Sequence, residues 1–254
     1  MKMIWRRLRN HYYQRQLRRK DLPGVIRDYL QGFHRFNFDE PIGEAEFVIF
    51  DTETTGLSVK RGHRIVSISA VRLKDGRIDL SDGFHEIVNP NRDIPSASTA
   101  IHGILPHMVN GKPTIEDVLP DFIRYIGASV LVAHHEWLDM SFLNREMTRL
   151  HSIPIQNFVL DTAVLDQVLI QKKRVGHMAA AMKTGSTLGA LAERYHVTVE
   201  ELHSSFWDAL TTAQIFQQML KKIQGLGILQ LRDLLKLAYT PPGLGLFKPD
   251  HFSG

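Results

Sequence analysis

The apolar run Phe47-Val-Ile-Phe50 leads directly into Asp51-Thr-Glu53-Thr-Thr-Gly56, and this junction restricts the fold more than any other stretch. Four consecutive apolar residues with β-branched content predict a buried strand, and Thr-Thr-Gly predicts its exit. Along a strand, residues i and i+2 face the same way, so Asp51 and Glu53 are expected to present their carboxylates side by side. Neighbouring carboxylates repel and desolvate each other, which raises at least one pKa. A cation between them relieves this, and Mg²⁺ or Mn²⁺ suits oxygen donors. For an isolated D-x-E, a solvated pair at a strand end is the plainer alternative.

Three later residues change that balance. Asp139 closes His134-His-Glu-Trp-Leu-Asp139, after a second apolar run, Val130-Leu-Val-Ala133, and before a helix-like stretch with Met140, Phe142, Leu143 and Met147. His203 and Asp208 frame His203-Ser-Ser-Phe-Trp-Asp208, and Asp208 opens a helical run through Leu220. The order D-x-E, a distant D, then H-x4-D resembles the DEDDh 3′–5′ exonucleases, the family of the bacterial polymerase III proofreading subunit. The resemblance runs from Phe47 to Leu220 and takes in Ile101-His-Gly-Ile104 and Ser186-Thr-Leu-Gly-Ala-Leu191.

The resemblance implies phosphodiester hydrolysis with two Mg²⁺ or Mn²⁺ ions, about 3.5–4 Å apart. It implies that Asp51, Glu53 and Asp208 ligate the tighter ion, that Asp51 bridges to the second, and that Asp139 helps through waters. It makes His203 the general base for the attacking water, a task that suits an imidazole near neutral pH. Asp208 follows His203 by five residues, more than one helical turn. Both therefore reach one centre only if His203 lies on the loop ahead of a helix beginning near Asp208. A surface-loop histidine is the other reading of His203. By resemblance, Thr54, Thr55, Gly56 and Leu57 carry the backbone and apolar contact to the 3′-terminal sugar and base, and Thr52, Ile101, His102 and His134 also belong to the substrate pocket. A plain turn at Thr54–Leu57 and a structural role for His102 are the alternatives. Asp161-Thr162 predicts a helix start and no chemistry.

The second motif of the family usually reads His-Asn-Ala-x-Phe-Asp, so His135, Glu136 and Leu138 are departures. Leu138 is an apolar swap. His135 and Glu136 put an imidazole and a carboxylate where an amide and a methyl are usual. Together they can reshape the terminal-nucleotide pocket or support the metal ligands; the plainer reading, favoured for Glu136, puts it in a first helical turn, where the macrodipole favours an acid, with His135 facing solvent.

The rest of the chain fits an RNase H-like α/β domain, a mixed sheet flanked by helices. Arg64 to Leu73 reads as a strand, Lys74-Asp-Gly-Arg77 as a turn and Ile78 to Asn89 as a returning strand. With the first strand they form an antiparallel meander. Thr114-Ile-Glu-Asp117 resembles a capping box opening a helix to Ile126. Val130–Ala133 is then reached through a helical crossover, hence parallel to its neighbour. The expected divisions are a basic helical arm at 1–40, an exonuclease domain at 41–225, and a C-terminal helix with a Pro/Gly-rich tail at 226–254.

The absence of cysteine excludes disulfides and thiolate zinc sites and suits the cytoplasm. No apolar run approaches the roughly 20 residues that span a bilayer, and no signal-peptide core follows the N-terminal charges, so no stable membrane insertion is expected. The formal charge is +4, yet residues 1–20 carry eight Lys or Arg and no acid, leaving −4 for the remainder. Trp5, Tyr12 and Tyr13 add stacking surfaces to this arm, which can track a phosphate backbone. Ile4, Leu8 and Tyr12 share one helical face, so packing on the domain or on a partner is equally open, with a membrane surface third. Tyr239-Thr-Pro-Pro-Gly-Leu-Gly-Leu-Phe247 excludes regular helix and is expected to be a mobile or docking tail.

The leading function is a metal-dependent exonuclease acting on a free 3′ end, single-stranded DNA first. A polymerase or other protein is a candidate partner through the arm or tail. The alternatives are an exoribonuclease acting on short RNA, or a non-hydrolytic nucleic-acid- or polymerase-binding module on the same fold.

Overall fold

The computed structural model describes residues 14–174, 186–200 and 203–238. Strand β1 (Phe47–Thr54) is the middle of a five-stranded sheet of order β3-β2-β1-β4-β5. β2 (Ile65–Lys74) pairs antiparallel with β1, and β3 (Arg77–Ile87) antiparallel with β2. The Asp75-Gly76 turn between β2 and β3 holds both residues at positive φ, 51° and 69°, as a two-residue hairpin with right-handed strand twist requires. β4 (Val130–Ala133) and β5 (Val159–Asp161) continue the sheet in parallel.

The sheet is flanked by the α-helices α1 (Gly24–Gly32), α2 (Ser96–His102), α3 (Ile115–Ile126), α4 (Trp137–His151), α5 (Thr162–Arg174), α6 (Leu188–Tyr195), α7 (Ser205–Gly225) and α8 (Leu231–Ala238). The start of α3 follows the capping sequence, with Thr114 N and Oγ1 both donating to Asp117 Oδ2 at 2.9 and 2.8 Å. α7 starts three residues before Asp208, with Ser204 as its N-cap, so the helix is longer than the apolar pattern predicted.

Alternation along β1 divides the core. Val48 and Phe50 face α1, α3 and α4, whereas Phe47 and Ile49 face α5 to α8. Phe47 meets Phe216 of α7 edge-on, with ring centroids 5.0 Å apart. Continuing the period of two, Asp51 and Glu53 lie on the α7 face, and Thr52 and Thr54 on the α4 face. The catalytic-type carboxylates therefore emerge where the apolar stripe of β1 ends.

The core continues across both expected divisions, at 40/41 and 225/226. α1 buries Ile26, Tyr29 and Leu30, and α8 buries Leu231 and Leu234. Main-chain bonds also cross the divisions: Ile42 N donates to Leu229 O at 2.9 Å, Leu231 N to Glu40 O at 2.9 Å and Arg232 N to Phe38 O at 2.8 Å. The Pro and Gly residues at 41–43 and 225–227 mark turns within one packed unit.

The inner end of the basic arm is docked as well. Leu17 packs on the core, Arg19 Nη1 donates to His151 O at 3.0 Å, and Arg27 Nη1 donates to Leu17 O at 2.8 Å. The predicted helical face of Ile4, Leu8 and Tyr12, and the tail at Tyr239–Phe247, lie outside the described residues. No described helix is long and apolar enough to cross a membrane.

Candidate active site

Asp51, Glu53 and Asp208 each offer a carboxylate oxygen, and these oxygens lie within 4.8 Å of one another. Two come from the end of β1, and the third from the first turn of α7, which packs across the same face of the sheet. Asp139 reaches the group from the opposite layer. It sits in the first turn of α4, where its Oδ1 accepts from Thr52 N at 3.0 Å and from Thr52 Oγ1 at 2.5 Å. Beyond Ile49 and Val132, the last paired residues of β1 and β4, this carboxylate takes over the neighbour's role at the end of the ladder.

Burial and mutual repulsion disfavour the charged forms of these carboxyls. Burial, then Asp139, Glu53 and Asp208, push the Asp51 carboxyl well above its ordinary range. Burial, followed by Asp208 and Asp139, raises Glu53 to about 8. Burial raises Asp139 to about 7 against the opposing bonds from Thr52. Asp208 is also raised by burial, opposed by the His203 backbone N–H and by the nearby imidazole.

His203 occupies the loop immediately ahead of α7, in the left-handed region at φ 66°. Its backbone N donates to Asp208 Oδ2 at 3.1 Å, while the buried Asp208 Oδ1 has no hydrogen-bond partner. A hard divalent cation fits this set: three converging carboxylates, raised pKa values and one buried acceptor without a donor.

The threonines after Asp51 turn their hydroxyls into the protein. Thr52 holds Asp139, Thr54 Oγ1 donates to Gly56 O at 3.0 Å, and the fully buried Thr55 accepts from Arg64 N at 3.0 Å. Contact from Thr52, Thr54 or Thr55 to a ligand is therefore left to their backbones. Gly56 has φ 149°, and a Cβ there would lie 2.6 Å from the His63 ring, so no side chain is accommodated. Leu57 and Ile101 are exposed apolar side chains, at 68% and 58% of their full area. His102 is buried at the end of α2, with Nδ1 accepting from Ile104 N at 3.0 Å, and burial lowers its pKa despite the nearby Thr54 backbone. His134 is bound to Thr162 Oγ1 through Nδ1 at 2.9 Å and is lowered to about 4 by burial and by His135.

Sequence reading missed the residues that position these groups. Asp161 is more than a helix start: it accepts from Ala163 N at 2.8 Å in α5 and from His135 N and Glu136 N at 3.3 and 3.2 Å ahead of α4. Glu136 is the N-cap residue just ahead of α4 rather than in its first turn, and burial and Asp161 raise its pKa. Glu146 of α4 pairs with Arg64 at 2.8 Å, and Arg145 donates to Val59 O and His63 O, both at 3.1 Å. The helix that carries Asp139 thus also clamps the loop after β1. Nothing in local periodicity marks such long-range pairs.

A family model described as exonuclease, RNase T, matches residues 48–216. A DNA polymerase III subunit epsilon-like protein of Rhodobacter capsulatus is 38% identical over 192 residues, covering 75% of this chain and 26% of that protein. A DNA polymerase III PolC-type protein of Caldanaerobacter subterraneus is also 38% identical, over 75% of this chain but 13% of its own length. The chain therefore spans about a quarter or less of these curated relatives. DNA polymerase III subunit epsilon of Rickettsia felis is 34% identical over 68% of this chain and 72% of that protein. Among solved structures, exonuclease X in complex with 5′-overhanging duplex DNA has a TM-score of 0.55 and 25% identity, over 76% of this chain and 99% of that one. The nuclease domain of 3′hExo, a DEDDh family member bound to rAMP, has a TM-score of 0.56 and 19% identity, over 70% and 92%. The fold is RNase H-like, its acidic residues converge where β1 and α7 meet, and the chain belongs to the RNase T exonuclease family.

Proposed function

We propose that this chain is a metal-dependent 3′–5′ exonuclease that releases nucleoside monophosphates from free 3′ ends, with single-stranded DNA as its first substrate. The observation that carries this reading is the convergence of Asp51, Glu53 and Asp208, with His203 on the adjoining loop. Relatives named as polymerase III epsilon subunits favour DNA over RNA, and favour a polymerase as a protein partner through the arm or tail. The cysteine-free composition and these relatives fit a cytoplasmic protein.

In this reading Asp51, Glu53 and Asp208 would hold the Mg²⁺ or Mn²⁺ ions, with Asp139 assisting. The two ions supply charge relief on the attacking and leaving oxygens. His203 accepts the proton of the attacking water at an imidazole nitrogen. Gly56 lets the terminal sugar approach the backbone, Leu57 and Ile101 offer apolar surface to the terminal base, and His102 and His134 form neutral walls. Residues 22–238 act as one catalytic unit.

The test is incubation of purified protein with 3′- and 5′-labelled single-stranded DNA and RNA, with Mg²⁺, Mn²⁺ or EDTA. Mononucleotide release from the 3′ end, abolished by EDTA, is expected. Cleavage of circular strands or release from the 5′ end overturns the reading, and faster turnover of RNA makes the enzyme an exoribonuclease. Binding without hydrolysis under every condition makes it a binding module.

A further inference from the structure

β2 is apolar from Ile65 to Val71 except at two positions, Ser67 and Ser69, which share one face. Ser69 is paired with Asp51, and Ser67 with Glu53. Paired residues on antiparallel neighbours project to the same side, so the two serines flank the carboxylates in the next row of the sheet. Above them lies Ser205, the first residue of α7. Its Oγ is 2.8 Å from Ser67 Oγ and 2.7 Å from Ser69 Oγ, and Ser69 Oγ is 2.7 Å from His85 Nδ1. All three serines are at most 2% exposed. The ring of Phe206, next along α7, meets His85 edge-on at 6.2 Å.

We propose that Ser205 is a positioning residue, which with Ser67 and Ser69 fixes the start of α7 over the carboxylates and so sets Asp208 and His203. This rests on the exonuclease reading only for its consequence in turnover. Ser205 and Asp208 are three residues apart on a helix and share a face, so restraining one restrains the other. His203 precedes Ser205 by two residues and is tied to Asp208 by its backbone N–H. Near the site the other contacts of α7 with the sheet are mainly apolar, such as Ala213 and Phe216, and its hydrogen bond from Gln217 Nε2 to Gly76 O lies at the far hairpin. Apolar packing is non-directional and tolerates small slides, whereas hydrogen bonds weaken steeply with angle. Three hydroxyls at the mouth of the site therefore supply a register that methyl groups cannot. With His85 Nδ1 accepting, the protons run from Ser67 to Ser205 to Ser69 to His85, and each hydroxyl donates once.

A role in packing alone predicts a different outcome. Removing Ser205 by itself leaves the buried Ser67 hydroxyl without its partner, but replacing all three with alanine removes every buried hydroxyl of the group, leaves the exposed His85 to water, and is nearly neutral for folding. The experiment compares the parent, Ser205→Ala, and the triple variant Ser67→Ala/Ser69→Ala/Ser205→Ala. It reads thermal melting in EDTA, Mn²⁺ affinity by paramagnetic resonance of free Mn²⁺, and kcat against KM on a 3′-labelled oligonucleotide. Positioning predicts a triple variant that melts close to the parent, yet binds Mn²⁺ about tenfold more weakly and loses up to about 10²-fold in kcat with little change in KM. A triple variant with parental Mn²⁺ affinity and kcat overturns the proposal, as does a parent that binds no Mn²⁺. Should the parent bind Mn²⁺ but hydrolyse nothing, the exonuclease reading fails, while the Mn²⁺ comparison still decides the role of Ser205.

Discussion

At the scale of single residues, the carboxylates at the end of β1 work against folding until a cation neutralises them. Glu53, raised from 4.5 to about 8, binds its proton more tightly in the folded than in the unfolded state. Its stabilising contribution is therefore complete below the ordinary glutamate pKa and is lost as pH rises through about 8. Asp139, raised to about 7, acts in the same direction. The metal-free protein should melt at progressively lower temperature between pH 5 and 8, Mg²⁺ should restore the loss, and Asp51→Ala should melt higher than the parent in EDTA at pH 8 while losing hydrolysis. A metal-free melting temperature that climbs over this range contradicts the burial of an anionic cluster. His203 has a separable role. His203→Ala should reduce kcat by about 10²–10⁴-fold and leave Mn²⁺ affinity nearly intact, as measured by single-turnover kinetics and metal titration. Turnover near the parental rate at pH 7–8 would reduce His203 to a loop residue. The departure at His135 also has a reason at this scale. The position adopts φ 57°, a left-handed conformation in which Asn, Asp and His are all enriched, so histidine is among the residues that tolerate it.

At the scale of elements, the site is a junction of two helix starts and one strand end, and Asp161 serves as acceptor for two of the helices. Its carboxylate takes the free N–H of Ala163 in α5 and those of His135 and Glu136 on entry to α4, the helix that carries Asp139. Asp161→Ala should destabilise the fold by about 1–2 kcal/mol in urea unfolding, the usual loss for a cap, and should lower kcat more than it alters KM. Asp161→Asn, which keeps an acceptor oxygen, should recover most of both; an alanine variant with parental stability and kcat would show that α4 is set by packing alone. Much of this level was legible in the sequence because it is local. The strand before Asp51, the Asp75-Gly76 hairpin, the Thr114 helix start and the β4 crossover each follow from a few adjacent residues. What was not legible depends on layers meeting in space. Thr52 faces α4 and binds Asp139 only because the crossover brings that helix over the even side of β1. The pairing of residues 38–42 with 229–232 joins segments that nothing in their composition connects.

At the scale of the whole molecule, charge is divided against the chemistry. The chain outside residues 1–20 has a formal charge of −4, and its site concentrates four carboxylates, so a polyanionic substrate gains little from the body alone. Residues 1–20 carry eight cations, and we propose that those ahead of the docked Arg19 supply the attraction that the body lacks. Arg19 is anchored at His151, twelve residues beyond Asp139 along α4, or about 18 Å at the helical rise. Thirteen residues of chain reach at most about 45 Å when extended, enough for the segment before residue 14 to follow a strand leading to the site. Deleting residues 1–13, rather than the whole arm, spares Leu17 and Arg19, which pack on the domain. That segment holds four cations, Lys2, Arg6, Arg7 and Arg9. Its loss should lower the salt slope of single-strand binding by about 0.7 per phosphate contact, up to about 3 in all. The apparent KM on long substrates should rise and become less sensitive to salt, with kcat unchanged, and very short oligonucleotides should not distinguish the two proteins. A salt slope unaltered by the deletion would mean that the segment docks on protein, whether this domain or a polymerase partner, and that the substrate is drawn in by the body despite its charge.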